Sequence, residues 1–378
     1  MSVEPGKGSA RPSPVRIVIV GGGAAAIEAL LALRDLGGDR AELTLAAPNE
    51  DFVLKPLSVK TPFEGEQPLS FGLAEITGRV GATFERKSAV SVDDRHQIVV
   101  LRDGTELPYD FVVVATGAKS LWSVPGATTF WDLNAESSVQ EILERLATGE
   151  ARHIAFAVPG GPSWPLPAYE LALRTSHELE RLERTDAKLM VVTGEEKPLE
   201  QFGFGASTQV AALLEAHGVE FVGQTVPIGF DGSVLETSRG TIPVDEVLVL
   251  PSLEGRRLDG VPFDESGFVP VDEYGRIAGL ESEAYAAGDV TDHPLKFGGI
   301  ATQQADTVAA AIAAKAWGAP SPPPFSPGLQ PVISTGEGSI RLTVGEQPSE
   351  SAPPDRSVEP TEKILGRYLT PFLDSLIR

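Results

Sequence analysis

Arg16-Ile17-Val18-Ile19-Val20-Gly21-Gly22-Gly23-Ala24-Ala25-Ala26 is the stretch on which the fold turns. After Arg16 comes a β-branched run without polar alternation, the pattern of a strand buried on both faces of a parallel sheet. Three glycines end it. Ala24 to Leu36 then carries apolar residues at helical spacing and stops at Gly37-Gly38. Leu43-Thr44-Leu45-Ala46 reads as the next strand, so the segment is a βαβ unit of about 30 residues. Its turn fits G-x-G-x-x-G/A, with Ala26 in the last place. Gly21 allows the tight turn, Gly23 lets the backbone approach a pyrophosphate, and Ala26 permits close helix–strand packing. The phosphates would rest on the free N–H groups of Ala24 and Ala25 at the positive end of the helix. A glycine turn without a ligand is the bland alternative. The acid that usually ends the second strand and reads the ribose is missing, since Ala47-Pro48 stands there. Either Glu50 or Asp51 reaches back, or main chain and water serve the ribose.

Working outward, Phe111 to Ala115 is a second apolar strand, leading into Thr116-Gly117. His153 to Val158 opens another βαβ-like unit, with the turn Pro159-Gly160-Gly161-Pro162, a helix from about Ala168 to Arg184 and a strand from Lys188 to Val192. Glu246 to Leu250 and Ala284 to Ala287 read as strands, the latter before Gly288-Asp289. Ile300 to Lys315 is an alanine-rich helix. Six prolines between Ala319 and Pro331 mark a boundary or linker. Met1 to Pro14 reads as disordered and Gly345 to Pro360 as a mobile loop. The units near residues 16 and 153 form an internal repeat.

The 378 residues include 53 acidic and 31 basic ones, a formal charge of -22. Nucleic acid and anionic lipid would be repelled. The absence of cysteine excludes a disulfide framework, a thiolate metal site, a cysteine nucleophile and a redox dithiol. Val15 to Val20 is too short for a signal core, and no stretch approaches the roughly 18 apolar residues of a membrane span. A cytoplasmic location is the default expectation.

The glycine turn, Ala115-Thr116-Gly117 after a strand, and Ala287-Gly288-Asp289 before a long helix occur in that order at wide spacing. Together they resemble the FAD-dependent pyridine nucleotide-disulfide oxidoreductase superfamily over roughly residues 15 to 345. Within it the chain looks most like the branch of sulfide:quinone oxidoreductases, flavocytochrome c sulfide dehydrogenase and type II NADH dehydrogenases. Phe52 to Leu57, Pro294 to Gly299, Thr193 to Glu196 with Gln201 to Gly203, and Thr335 to Gly338 carry that likeness. The resemblance implies an α/β fold of two Rossmann-like nucleotide-binding domains, the FAD domain holding an inserted NAD-like domain, plus a small C-terminal interface region. The expected bounds are 14–120 and 263–325 for the FAD domain, 121–262 for the insert and 326–378 for the remainder, packed beside the flavin or in a dimer contact.

The resemblance also implies roles. Gly21 and Gly23 would cradle the FAD pyrophosphate, and Lys55 and Pro56 would lie along the flavin side. The edge of Ala89-Val90 would touch adenine. Thr116 and Gly117 would close over the dinucleotide, and Asp289, after Gly288, would accept a hydrogen bond from a ribityl hydroxyl. Gly299, Ile300 and Ala301 would present N–H groups to the pyrimidine edge of the flavin. That last role has its own physical basis: a helix N-terminus stabilises the negative charge a flavin gains there on reduction. Lys296 would add a positive charge, or else is a solvated surface lysine. His293 either moves protons near the flavin or is a surface-turn histidine.

Two features depart from the branch. Its sulfide oxidation uses paired cysteines, and this chain has none. In the second unit Pro159 replaces the first glycine and Trp164 the last, which removes a donor and blocks close helix packing. The sulfide branch has a similar proline-rich turn and does not use NADH there. Trp164 is either packing or the wall of a substrate cavity. Glu195-Glu196 reads as a solvated turn. His96, His153, His177, His217 and His293 show no metal-ligand spacing, and no G-x-S-x-G elbow supports a hydrolase.

The C-terminal residues Ile364-Leu365, Tyr368-Leu369, Phe372-Leu373 and Leu376-Ile377 form one apolar helical face, with Pro371 expected to kink it. Flanking Lys363, Arg367 and Arg378 suit peripheral membrane contact; docking on its own domain or on a second subunit is the alternative. Three functions stay open: an FAD-dependent oxidoreductase passing two electrons from a small-molecule donor to an acceptor such as a quinone; an NAD(P)H dehydrogenase with atypical nucleotide binding; and a non-catalytic FAD-binding protein.

Overall fold

The computed structural model describes residues 13–130, 135–184, 186–344 and 366–377. Most of the segments read as disordered or mobile, residues 1–12 and 345–360, lie outside them, as do Lys363, Ile364, Leu365 and Arg378.

In chain order the elements that frame the site are β1 (Val15–Val20), α1 (Ala24–Gly37), β2 (Ala41–Ala46), β3 (Thr83–Glu85), β4 (Phe111–Val114), β5 (Thr128–Thr129), α2 (Ala135–Thr148), β6 (His153–Ala157), α3 (Leu166–Arg181), β7 (Lys188–Val192), α4 (Phe204–Ala216), β8 (Val219–Val222), β9 (Glu246–Val249), β10 (Ala284–Ala286), α5 (Gly298–Trp317), β11 (Val332–Thr335), β12 (Gly338–Arg341) and α6 (Leu369–Ile377).

Two parallel five-stranded sheets organise the chain, in the orders β10-β4-β1-β2-β3 and β5-β9-β6-β7-β8. The last four strands of each order follow one plan, which accounts for the repeat in the sequence. β1 shows why Ile17 to Val20 are all β-branched. Ile17 and Ile19 pack into a cluster with α1 and α5, while Val18 and Val20 pack into a second cluster on the other face. A three-stranded antiparallel meander (Ala89–Asp93, Ile98–Leu101, Glu106–Pro108) covers that second face. A strand sandwiched in this way has no polar side.

α1 and α5 meet through small residues, among them Ala25, Ala29, Ala32, Ala301, Ala305 and Ala309, all buried. Their start points both lie at the carboxyl ends of the first sheet, the crevice where open α/β sheets bind ligands. The β11–β12 hairpin joins the core of the second sheet through Ile333. Arg174 of α3 ties it down, donating to Ser334 Oγ at 3.0 Å and to Glu64 Oε1 at 3.0 Å.

α6 docks on its own chain: Leu369 and Leu373 are buried in the cluster that contains α1. No kink is present, because Pro371 falls in the first turn, where a missing N–H costs nothing. Among the described residues no helix is long and apolar enough to cross a membrane.

Candidate functional site

The glycine turn is built by two opposite constraints. Gly21 has φ +135°, and a Cβ there would stand 2.1 Å from the Ala115 carbonyl oxygen. Only glycine lets β1 end against β4 in this way. At Gly23 a Cβ would meet nothing within 4 Å. The space before Gly23 is open, and among the described residues no acceptor takes the N–H of Gly23, Ala24 or Ala25. These are the orphan donors of a helix start, at the positive end of its dipole.

Three motifs far apart in sequence touch beside this turn. Gly288, at φ +85°, would place a Cβ 2.9 Å from Ala25 Cβ and 3.4 Å from Ala301 Cβ. Its N–H donates to Gln304 Oε1 at 2.7 Å. Thr116 and Gly117 follow the adjacent strand β4, and Thr116 Oγ1 is shut from solvent with no hydrogen-bond partner. Ala89, half-buried, packs against the cluster that holds Val20 and Val114; Val90 follows it on the first meander strand and accepts from Asp259 N–H at 3.2 Å.

Asp289, Lys296 and Lys55 also come together. Burial pushes the Asp289 carboxyl above its usual range, against the pull of the Lys296 and Lys55 ammonium groups. Asp289 is nevertheless partly accessible, so it borders the recess at the carboxyl ends of the first sheet and is not part of the sealed core. Lys55 and Pro56 occupy a short 3-10 turn anchored by buried Leu54 and Leu57. Lys296 is only 4% exposed, so the solvated alternative is wrong. Its ammonium donates to the Thr291 carbonyl and lies 3.7 Å from the centre of the Phe268 ring. Burial lowers its pKa to about 8, opposed by Asp289, Asp292 and Asp264.

At α5 the helix changes the expected set of donors. Ile300 and Ala301 both give their N–H to the Phe297 carbonyl at 3.0 Å, because the first turn closes on its cap. Gly299 keeps a free N–H. His293 faces a separate cavity of about 330 Å³, lined by Asp292, Gln304, Thr307 and Phe325 among others. Its Nδ1 accepts the Leu295 N–H at 3.2 Å, and burial lowers its pKa. It is therefore half-buried, not a surface-turn residue.

In the second unit Trp164 stacks on Phe297, the residue that caps α5, with ring centroids 4.7 Å apart and planes 6° from parallel. Phe202 closes edge-on against both, at 5.4 Å and 6.2 Å. Trp164 is thus packing, at the junction between the second sheet's turn and the helix that faces the recess. Glu195 is not the solvated turn residue its neighbour Glu196 is. It accepts the Tyr169 hydroxyl at 2.7 Å and the Thr193 hydroxyl at 3.2 Å, and burial raises its pKa to about 7. Glu50 is engaged at the surface by Arg86 at 2.8 Å. Among the described residues no cluster of His, Asp or Glu could hold a metal ion.

Two such units, with helix starts converging on one crevice, define a two-domain dinucleotide-binding oxidoreductase fold. The chain belongs to the pyridine nucleotide-disulphide oxidoreductase family, which matches residues 15–314. It is similar to the sulfide-quinone reductase of Aquifex aeolicus, 25% identical over 254 residues, which cover 63% of this chain and 59% of that protein. The match thus spans less than two thirds of that relative. The crystal structure of the sulfide:quinone oxidoreductase from Aquifex aeolicus superposes with a TM-score of 0.76 at 20% identity, over 96% of this chain and 90% of that one. A NAD-dependent persulfide reductase from A. fulgidus gives 0.61 at 19% identity, over 88% and 64%.

Proposed function

We propose that the chain binds FAD across the carboxyl ends of β1, β4 and β10. It works as an oxidoreductase that passes two electrons from a small-molecule donor to an acceptor such as a quinone, without cysteine chemistry. The observation that carries this reading is the open space before Gly23, bordered by free N–H donors. Thr116 Oγ1, buried without a partner, fits the same ligand, because a sealed hydroxyl is costly unless something bonds to it. The quinone comes from the names of the relatives, and the family likeness supplies the cofactor.

FAD, when bound, supplies reversible uptake of two electrons. The chain supplies the rest. Gly23, Ala24 and Ala25 hold the pyrophosphate on α1, with Gly21 fixing the turn. Thr116 and Gly117 close over the dinucleotide, and Ala89 and Val90 border the adenine. Asp289, next to Gly288, takes a ribityl hydroxyl. Lys55 and Pro56 line the flavin side. The free Gly299 N–H, the positive end of α5 at Ile300 and Ala301, and the Lys296 ammonium favour negative charge at the pyrimidine edge. His293 acts at one remove, holding through Leu295 the loop that leads to Lys296. The bounds 14–120, 121–262, 263–325 and 326–378 describe the same arrangement.

NAD(P)H is a poor fit to the second unit. Pro159 and Trp164 replace two glycines, and the Trp164–Phe297 stack fills the junction. The test is anaerobic mixing of the purified yellow protein with donors. NADH and NADPH should leave the flavin band intact; another small-molecule reductant should bleach it and a quinone should restore it. Bleaching by NADH, or a flavin that resists every donor, would replace this reading with one of its two alternatives.

A further inference from the structure

Glu28 lies in α1, one turn beyond the glycine turn, with 0% of its surface exposed. Its carboxylate serves a distant part of the chain. Oε1 accepts the Tyr368 N–H at 2.8 Å and Oε2 the Leu369 N–H at 2.6 Å. These are orphan donors at the start of α6, so Glu28 caps a helix from outside it. The approach is close: a Cβ on Gly366 would stand 2.5 Å from Glu28 Oε2.

From α5, Asp306 reaches the same carboxylate and hydrogen-bonds to it. Asp306 Oδ1 is sealed from solvent with no donor. Two carboxyl groups share a hydrogen bond only when one of them carries a proton. Among the described residues Arg367 is the one basic group that opposes the pair. Asp35 of α1 takes the Tyr368 hydroxyl at 3.2 Å. Arg34 is held by the Gly38, Ala41 and Gly81 carbonyls, and Lys315 of α5 pairs with Glu283. Asp374 lies farther along α6.

We propose that the proton shared by Glu28 and Asp306 is a latch: α6 stays docked on α1 while the proton is present, and its loss frees the helix. A doubly ionised pair would hold two negative charges in contact away from water. The readiest relief is to admit water, and the cover over the pair is residues 366–369. Leu369 and Leu373 are the only fully buried side chains of α6, so this helix gives way before α1 and α5 do.

Burial and the neighbouring Glu28 charge push Asp306 up to about 8, and burial pushes Glu28 upward as well. The sign follows. The docked form holds a proton that the open form releases, so docking is full at acid pH. It weakens as pH rises out of the ordinary carboxylate range of about 4, by up to roughly tenfold per unit, and levels off beyond the raised value.

The chain has no cysteine, so Ser375→Cys, on the exposed side of α6, accepts a single nitroxide label. The label should be immobilised at about pH 6 and gain a mobile component by about pH 9, reversibly, with unchanged far-ultraviolet circular dichroism. Asp306→Asn keeps an N–H donor toward Glu28 with no proton to lose, and should hold the label immobile throughout. Asp306→Ala cannot form the doubly charged pair and leaves both Glu28 oxygens to the Tyr368 and Leu369 N–H groups; it should behave alike and stands in if the first variant fails to fold. Equal immobility at both pH values in the labelled parent overturns the proposal. So does equal pH-dependent release in a folded Asp306→Asn or Asp306→Ala protein.

Discussion

Trp164 and Phe297 lie face to face at 4.7 Å, joining the turn of the second α/β unit to the cap of the helix that faces the recess. A nicotinamide approaching from the second unit would have to displace the stack. Truncating Trp164 to Ala should cost about 2–3 kcal/mol of stability, less than a fully buried tryptophan because the ring is half-exposed. Urea unfolding measures this. NADH should still fail to reduce the variant, because Pro159 remains.

Gly23 and Gly21 separate binding from folding. A side chain at Gly23 meets only open space, whereas one at Gly21 strikes the Ala115 carbonyl. Gly23→Leu should therefore abolish bound flavin while leaving the melting temperature of the flavin-free chain nearly unchanged. Gly21→Ala should lose about 3 kcal/mol or more and express poorly. Thermal melts beside flavin content distinguish the two.

Lys296 should set the flavin potential. A buried ammonium toward the flavin is worth about 1.5–3 kcal/mol, roughly 30–65 mV for two electrons. Lys296→Met should lower the midpoint by that amount in a spectroelectrochemical titration. In the parent, the advantage should fade as pH rises through about 8, where the lysine loses its proton. A midpoint unchanged in the variant would remove Lys296 from the site.

Glu195 makes stability pH-dependent. Its carboxyl is raised from 4.5 to about 7 by burial. The stability it contributes is thus complete below 4.5 and lost as pH climbs through about 7. The change should be on the order of 2–3 kcal/mol, and Glu195→Gln should flatten it. Urea midpoints across that window, for both proteins, provide the comparison.

Much of the fold could be read from β1 and its turn. A β-branched run without polar alternation, ended by glycines, has few other solutions, and the second unit repeats it. The three motifs around Gly21, Thr116 and Gly288 were also legible, since each is punctuated by glycine. Lys296 and Glu195 were not, and for Trp164 the packing was legible but not its partner. Their character depends on Phe268, Tyr169 and Phe297, residues brought near only by tertiary packing, and a charged residue in a turn-like segment looks solvated until its cover is known. Pro371 misled for a local reason: its effect depends on where the helix begins. The N–H groups of Ile300 and Ala301 differ from the expectation for a similar reason, because the cap at Phe297 decides which donors stay free.

The central claim is that a dinucleotide rests on the free amides that begin α1. Calorimetric titration of the flavin-stripped, folded chain with FAD tests it directly. The account predicts one saturable site per chain, absent in Gly23→Leu. A folded chain that takes up no FAD, or a Gly23→Leu variant that binds as tightly as the parent, would contradict it.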